Sequence, residues 1–133
     1  MNEMNLIMDG VTYRVRVVYN SLVRAFELIE GPNAGDMFSG RHERDLIGTK
    51  YSYSMQVEPD PRYLSDYDDF FDALSDPVPS HTITMPNGQN SLTFDAMINT
   101  ASDTYKGKIA GVRRYGGLTV TFQAISVQKE PTS

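Results

Sequence analysis

The chain has 133 residues, 40% of them apolar, a net charge of −5 and no cysteine. That length suits one domain whose core needs no staples, and the missing cysteines exclude a disulfide framework, a thiolate zinc site and a thiol nucleophile. The acidic balance weighs against an extended nucleic-acid footprint.

No apolar run approaches the roughly 18 residues of a membrane span. The start, MNEMNLIMDG, has neither the basic opening nor the long apolar stretch of a secretory signal. Residues 1–128 read as a single β-rich domain and 129–133 as a disordered tail.

In chain order, Asp9-Gly10 between LIM and VTYRVRVVY signals a hairpin, because the type I′ turn needs positive φ at both central positions. In its second strand Val11, Tyr13, Val15, Val17 and Tyr19 share one face, with Thr12, Arg14, Arg16 and Val18 on the other. Asn20-Ser21 reads as a turn. SLVRAFELIEG fits two patterns. Leu22, Phe26 and Ile29, closed by Gly31, suit a helix; a segment between two turns suits a meander strand, although Arg24 then joins the apolar face. The strand is preferred. GPNAGDMFSG is loop, and RHERDLIGT is a charged lead-in to the next strand.

From Gly48 to Pro79 the pattern is strongest. Tyr51, Tyr53, Met55 and Val57 alternate with Ser52, Ser54, Gln56 and Glu58, which predicts a strand. The prolines of PDPRYL end it. Tyr67, Phe70, Phe71 and Leu74 then fall at i, i+3, i+4 and i+7, predicting a short helix over 65–74 with Phe70 and Phe71 both buried. Ser65 reads as its N-cap, with Asp66, Asp68 and Asp69 favourable in the first turn. Pro77 and Pro79 stop it. A helix this short is marginal alone, so its stripe must pack on a sheet.

SHTITMPNGQNSLTFDAMI reads as a second hairpin turning at Asn87-Gly88. NTASDTYKGKIAGVRRYGG reads as a long loop or a loosely held strand around Lys108 to Val112. LTVTFQAISV reads as a final strand whose inward set, Leu118 to Ala124, loses phase at Ile125 and Val127. A bulge near Ala124 or burial on both faces would explain that. The sum is a mostly β fold: an antiparallel sandwich or half-open barrel of about seven strands with one short helix packed on it.

Little in the chain suggests chemistry. His81 alternates with Ile83 and Met85 as a structural strand residue, and His42 lies in a charged run, so the two imidazoles lack metal-ligand spacing. The acidic set Glu58, Asp60, Asp66, Asp68, Asp69, Asp72 and Asp76 lacks the calcium-loop pattern. There is no nucleophile elbow and no phosphate loop. Arg113-Arg114-Tyr115, the one basic patch beside an aromatic, reads as a solvated turn. No catalytic residue, cofactor or metal ligand is assigned, and no enzyme activity is expected.

The run RDLIGTKYSYSMQVEPD, followed by YDDFFDALSDPVPSHTITMPNG, LTFDAMI and YGGLTVTFQAISV, resembles small prophage proteins of Gram-positive bacteria encoded among tail and virion-assembly genes, over roughly residues 8–127. The strand order is similar to the tail-tube-like fold of tube proteins and distal-tail adaptors. The resemblance implies a virion structural protein, made in the host cytoplasm, with itself and other tail proteins as partners, commonly in hexameric rings. It implies no membrane and no specific nucleic acid beyond passive passage of DNA. Contact is expected at sheet edges, through the first hairpin and the 31–45 loop. The interaction residues chosen are Arg14, Arg16, Asn33, Asp36, Arg41 and Arg44. The alternative is a monomeric β-sandwich module that binds carbohydrate or a partner protein.

Overall fold

The computed structural model describes residues 2–30, 35–36, 42–43 and 46–129. Its strands are β1 (Asn2–Met8), β2 (Val11–Val17), β3 (Val23–Glu30), β4 (Gly35–Asp36), β5 (His42–Glu43) and β6 (Leu46–Pro59). After helix α1 (Leu64–Leu74) come β7 (His81–Asn87), β8 (Asn90–Met97), β9 (Ala101–Ile109) and β10 (Val112–Ala124). Asp9 and Gly10 take φ of 53° and 79°, the turn that Asp-Gly suits, and β1 pairs β2 along its whole length. The second hairpin turns one residue later than predicted, on Gly88-Gln89, because Asn87 pairs with Asn90.

The wall runs β6-β2-β1-β7-β8-β10, and β10 returns to β6 from Leu118↔Val57 to Gln123↔Ser52. The predicted sandwich or half-open barrel is therefore corrected: six antiparallel strands close completely, and β3 and β9 lie outside them. Closure follows from strand length. β6 has 14 residues and β10 has 13. Each carries an outer strand on one part of one edge and a barrel neighbour further along that edge. On β6 these are β3 from Leu46 to Ser54 and β2 from Val57 to Pro59. On β10 they are β9 from Val112 to Val120 and β8 at Gln123 and Ala124.

The main sheet has eight strands rather than about seven, because the stretch read as a long loop holds β9 and the start of β10. Their turn, Ala110-Gly111, has φ of 50° and 80°. An alanine there hides a hairpin that Asn or Asp would have announced. β10 ends at Ala124, so Ile125 and Val127 fall out of phase because the strand has finished; its irregularities lie earlier, around Arg114 to Thr119, against β9.

The interior is filled at period two, by Tyr13, Val15 and Val17 of β2, Tyr53, Met55 and Val57 of β6, and Leu118, Val120 and Phe122 of β10, among others. Each fully buried side chain of this size contributes about 1.5–3 kcal/mol. Helix α1 adds Tyr67, Phe70 and Leu74 to that core, with the Phe70 ring 5.2 Å from that of Tyr13. Phe71 is only half-buried, a correction to the expected pair. The stripe is narrower than i, i+3, i+4, i+7 implies, and Phe71 falls on its margin.

The helix begins one residue before the predicted start. Tyr63 is its N-cap with no side-chain capping bond, so Ser65 lies inside the first turn. Asp66 makes the tie that matters. β2 bonds β6 only from Val15 onward, which would leave the Arg14 amide facing no strand. Asp66 Oδ2 accepts that N–H at 2.9 Å and the Arg14 Nε–H at 2.8 Å, standing in for a ladder carbonyl. The Arg14 guanidinium also lies 3.8 Å over the Tyr63 ring.

The chain after β10 straps back over β6. Thr49 donates to the Lys129 carbonyl at 3.0 Å, and Gln128 donates to the Thr49 carbonyl at 2.7 Å. Residues 130–133, the rest of the expected tail, lie outside the described residues. Gly48 makes the strap possible: it is buried at φ 151°, and a Cβ there would run into the Val127 side chain and the Lys129 carbonyl. Gly48→Ala should therefore lower the melting temperature and speed hydrogen exchange at the Thr49 and Gln128 amides; unchanged exchange there would refute the close approach. Phe70→Ala should cost about 3–5 kcal/mol in denaturant unfolding, and Phe71→Ala clearly less.

Candidate assembly interface

The two outer strands form arms at opposite ends of the barrel. Residues 52–57 of β6 run antiparallel to residues 118–123 of β10. The first part of β6, with β3, therefore passes beyond one end of that ladder, and the first part of β10, with β9, beyond the other. Every residue of β3 except Ile29 is exposed. Phe26 is 65% exposed, with Val23 and Leu28 beside it. On the second arm Ile109 is 60% exposed, with Tyr105, Val112 and Tyr115 also open. Among the described residues β3 bonds only β6 and β9 only β10, so each presents an outer edge with no strand against it. Such an edge is a template for pairing with another chain.

Both arms are held in place. Glu58 accepts the Gly117 N–H at 2.9 Å and faces Lys106 Nζ at 3.5 Å, tying β6 to the second arm. Gly116 permits this, since a Cβ there would meet the Glu58 carboxylate. The Tyr67 hydroxyl donates to Asp103 Oδ2 at 2.9 Å, and burial pushes that phenol far up, with the Asp103 carboxylate adding to the effect. The Tyr105 and Tyr115 rings pack 5.2 Å apart. On the first arm Arg24 Nη1 donates to the Asn87 side chain at 3.0 Å.

The residues chosen from sequence are placed unevenly. Arg14 is engaged by Asp66 and Tyr63, and Arg16 Nη2 lies 3.8 Å from Asp60 Oδ1. Asp36 pairs with His42 in the two-residue ladder β4–β5. Asn33, Arg41 and Arg44 lie outside the described residues. The first hairpin is an edge only in part: β1 pairs β7 at Ile7 and Met8 and β2 pairs β6 at Val15 to Val17, so the start of β1 has no strand on its outer side among the described residues, and α1 stands beside the start of β2. Among the described residues the strands that pair along one side alone are β3, which was read as a strand but not as an edge, and β9, which was read mainly as loop. The alternation of Ala101, Asp103, Tyr105, Gly107 and Ile109 was the signal for β9.

Two further polar clusters are structural. His81 is 5% exposed, with Nδ1 2.6 Å from Asp9 Oδ2, while Asp9 Oδ1 accepts the Thr82 N–H at 2.8 Å. Burial pushes the Asp9 carboxyl up, but the bonds from His81 and Thr82 outweigh it and hold the pKa below the ordinary value. Asp60 is buried and accepts from Arg62 Nε at 3.1 Å, Nη2 at 2.9 Å and the backbone N–H at 3.0 Å. The Arg62 bonds lower its pKa from 3.8 to about 2. Among the described residues no group of three or more His, Asp or Glu could hold a metal ion.

Beside α1 lies an open trough. One cleft of about 390 Å³ is lined by Tyr67, Asp68, Phe71, Asp72, Ser75, Asp103 and Tyr115. A second, of about 500 Å³, shares Phe71 and Ser75 and extends to Val78, Ile98 and Ala101.

No protein-family model matches this chain, and no curated protein matches it.

The lowered Asp60 pKa has a defined consequence. A carboxyl depressed in the folded state contributes stability that is whole above its unfolded value and is lost as pH falls through its folded one. Asp60→Asn should be less stable than the parent at neutral pH. The difference should close as pH drops from 3.8 towards about 2. A difference that stays constant across that window would show that the Arg62 bonds do not set it.

Proposed function

We propose that this protein is a structural component that works by self-assembly, of the kind found in phage and prophage tails, as a tube, adaptor or baseplate-associated part. One observation supports this most: a closed barrel holds out two anchored arms, each with large exposed apolar side chains and an outer edge that no strand among the described residues covers. A strand exposed on both faces gains little from packing within one subunit, and burying Phe26, Tyr105 and Ile109 against a partner would stabilise by the usual area-proportional amount. The resemblance of the run from Arg44 to Ile98, and of Tyr115 to Val127, to prophage tail-region proteins supplies the virion setting.

A second reading is a monomeric binding module. The trough along α1, lined by the aromatic rings of Phe71 and Tyr115 together with the carboxylates of Asp68, Asp72 and Asp103, favours it. Light scattering on a size-exclusion column separates the two. Self-assembly predicts a mass that is a multiple of the 14.9 kDa chain, rising with concentration and falling in Phe26→Asp. A strict monomer at millimolar concentration would overturn the assembly reading and leave the trough.

A further inference from the structure

We infer that the outer edges of β3 and β9 are mates: β3 of one copy pairs with β9 of the next, head to tail. This rests on the assembly reading and specifies its contact. The edges are complementary in charge. Arg24 of β3 is held by Asn87, and Lys106 of β9 faces Glu58 in its own subunit; the charges the edges offer each other are Glu27 of β3 and Lys108 of β9, both exposed. Pairing β3 with a second β3 would gather the Glu27 carboxylates and pairing β9 with a second β9 the Lys108 ammonium groups, whereas a β3–β9 pair brings the opposite charges together. Cross-strand neighbours of opposite charge are favourable and like charges unfavourable.

Strand direction fits as well. In the ribbon β3-β6-β10-β9 every neighbour is antiparallel. Adding a neighbour's β9 antiparallel to β3 repeats the ribbon without breaking that alternation. One register sets Glu27 opposite Lys108 and Phe26 opposite Ile109, an ion pair beside an apolar pair. Both apolar members are among the most exposed large apolar side chains of the described residues. Contact between two different surfaces leaves a free β3 at one end of any chain of subunits and a free β9 at the other. It therefore propagates until a rotation closes it into a ring, or runs on as a filament.

The chain has no cysteine, so introduced thiols report only the designed contact. Antiparallel partners have Cα atoms about 4.5–5.5 Å apart, within disulfide range. Phe26→Cys and Ile109→Cys chains, distinguishable by a tag and mixed under mild oxidation, should cross-link to each other, with each variant alone giving far less dimer. Glu27→Lys should weaken association roughly fivefold, and adding Lys108→Glu in the same chain should restore it; circular dichroism of each variant checks the fold. Cross-links confined to Phe26→Cys with itself, in a protein that still assembles, would overturn the head-to-tail pairing and leave self-assembly standing. A monomer that forms no cross-link in any mixture would overturn both.

Discussion

The ladder between β6 and β10 is the contact on which the rest of the structure depends. It closes the barrel, and because each strand extends past the other at one end, it also makes the arms. A shorter β6 could bond β2 and β10 and stop, leaving β3 with nothing to pair. The same excess length that seals the core therefore creates the outer edges of β3 and β9, which no other strand among the described residues pairs. Interior side chains from both strands, Tyr53 and Phe122 among them, anchor the shared segment, so the arms project from a fully buried part of the barrel wall.

The helix solves a local problem left by that arrangement. Where β6 has ended, the first half of β2 has no strand on its outer side. Asp66 accepts the Arg14 amide there, while Phe70 seals the apolar face against Tyr13. A carboxylate that also binds the Arg14 side chain is a stronger acceptor than a carbonyl would be. The remaining aspartates of α1, Asp68, Asp69 and Asp72, are exposed and give the helix its acidic outer face.

Much of the core was legible because period two and period 3.6 report burial directly. Tyr53, Met55 and Val57, and Leu118, Val120 and Phe122, were read as inward and are inward. Partnership was not legible, since alternation carries no information about which strand lies alongside. Closure of the wall, the Asp9–His81 contact across 72 positions and the Asp66–Arg14 tie all depend on it. The hairpin of β9 and β10 was missed for a different reason: its turn uses Ala110 at positive φ, and its residues are polar because much of it faces solvent. The candidate contact surface was thus the least readable part, because an edge that waits for a partner lacks the burial pattern that makes strands visible.

Hydrogen exchange of backbone amides as a function of protein concentration tests the central claim most directly, because a pairing edge protects its own N–H groups. The account predicts that protection rises with concentration along β3 around Phe26 to Leu28 and along β9 around Tyr105 to Ile109, while the barrel strands stay unchanged. Protection at those two edges that is independent of concentration, or that rises only along α1 and its trough, would contradict it.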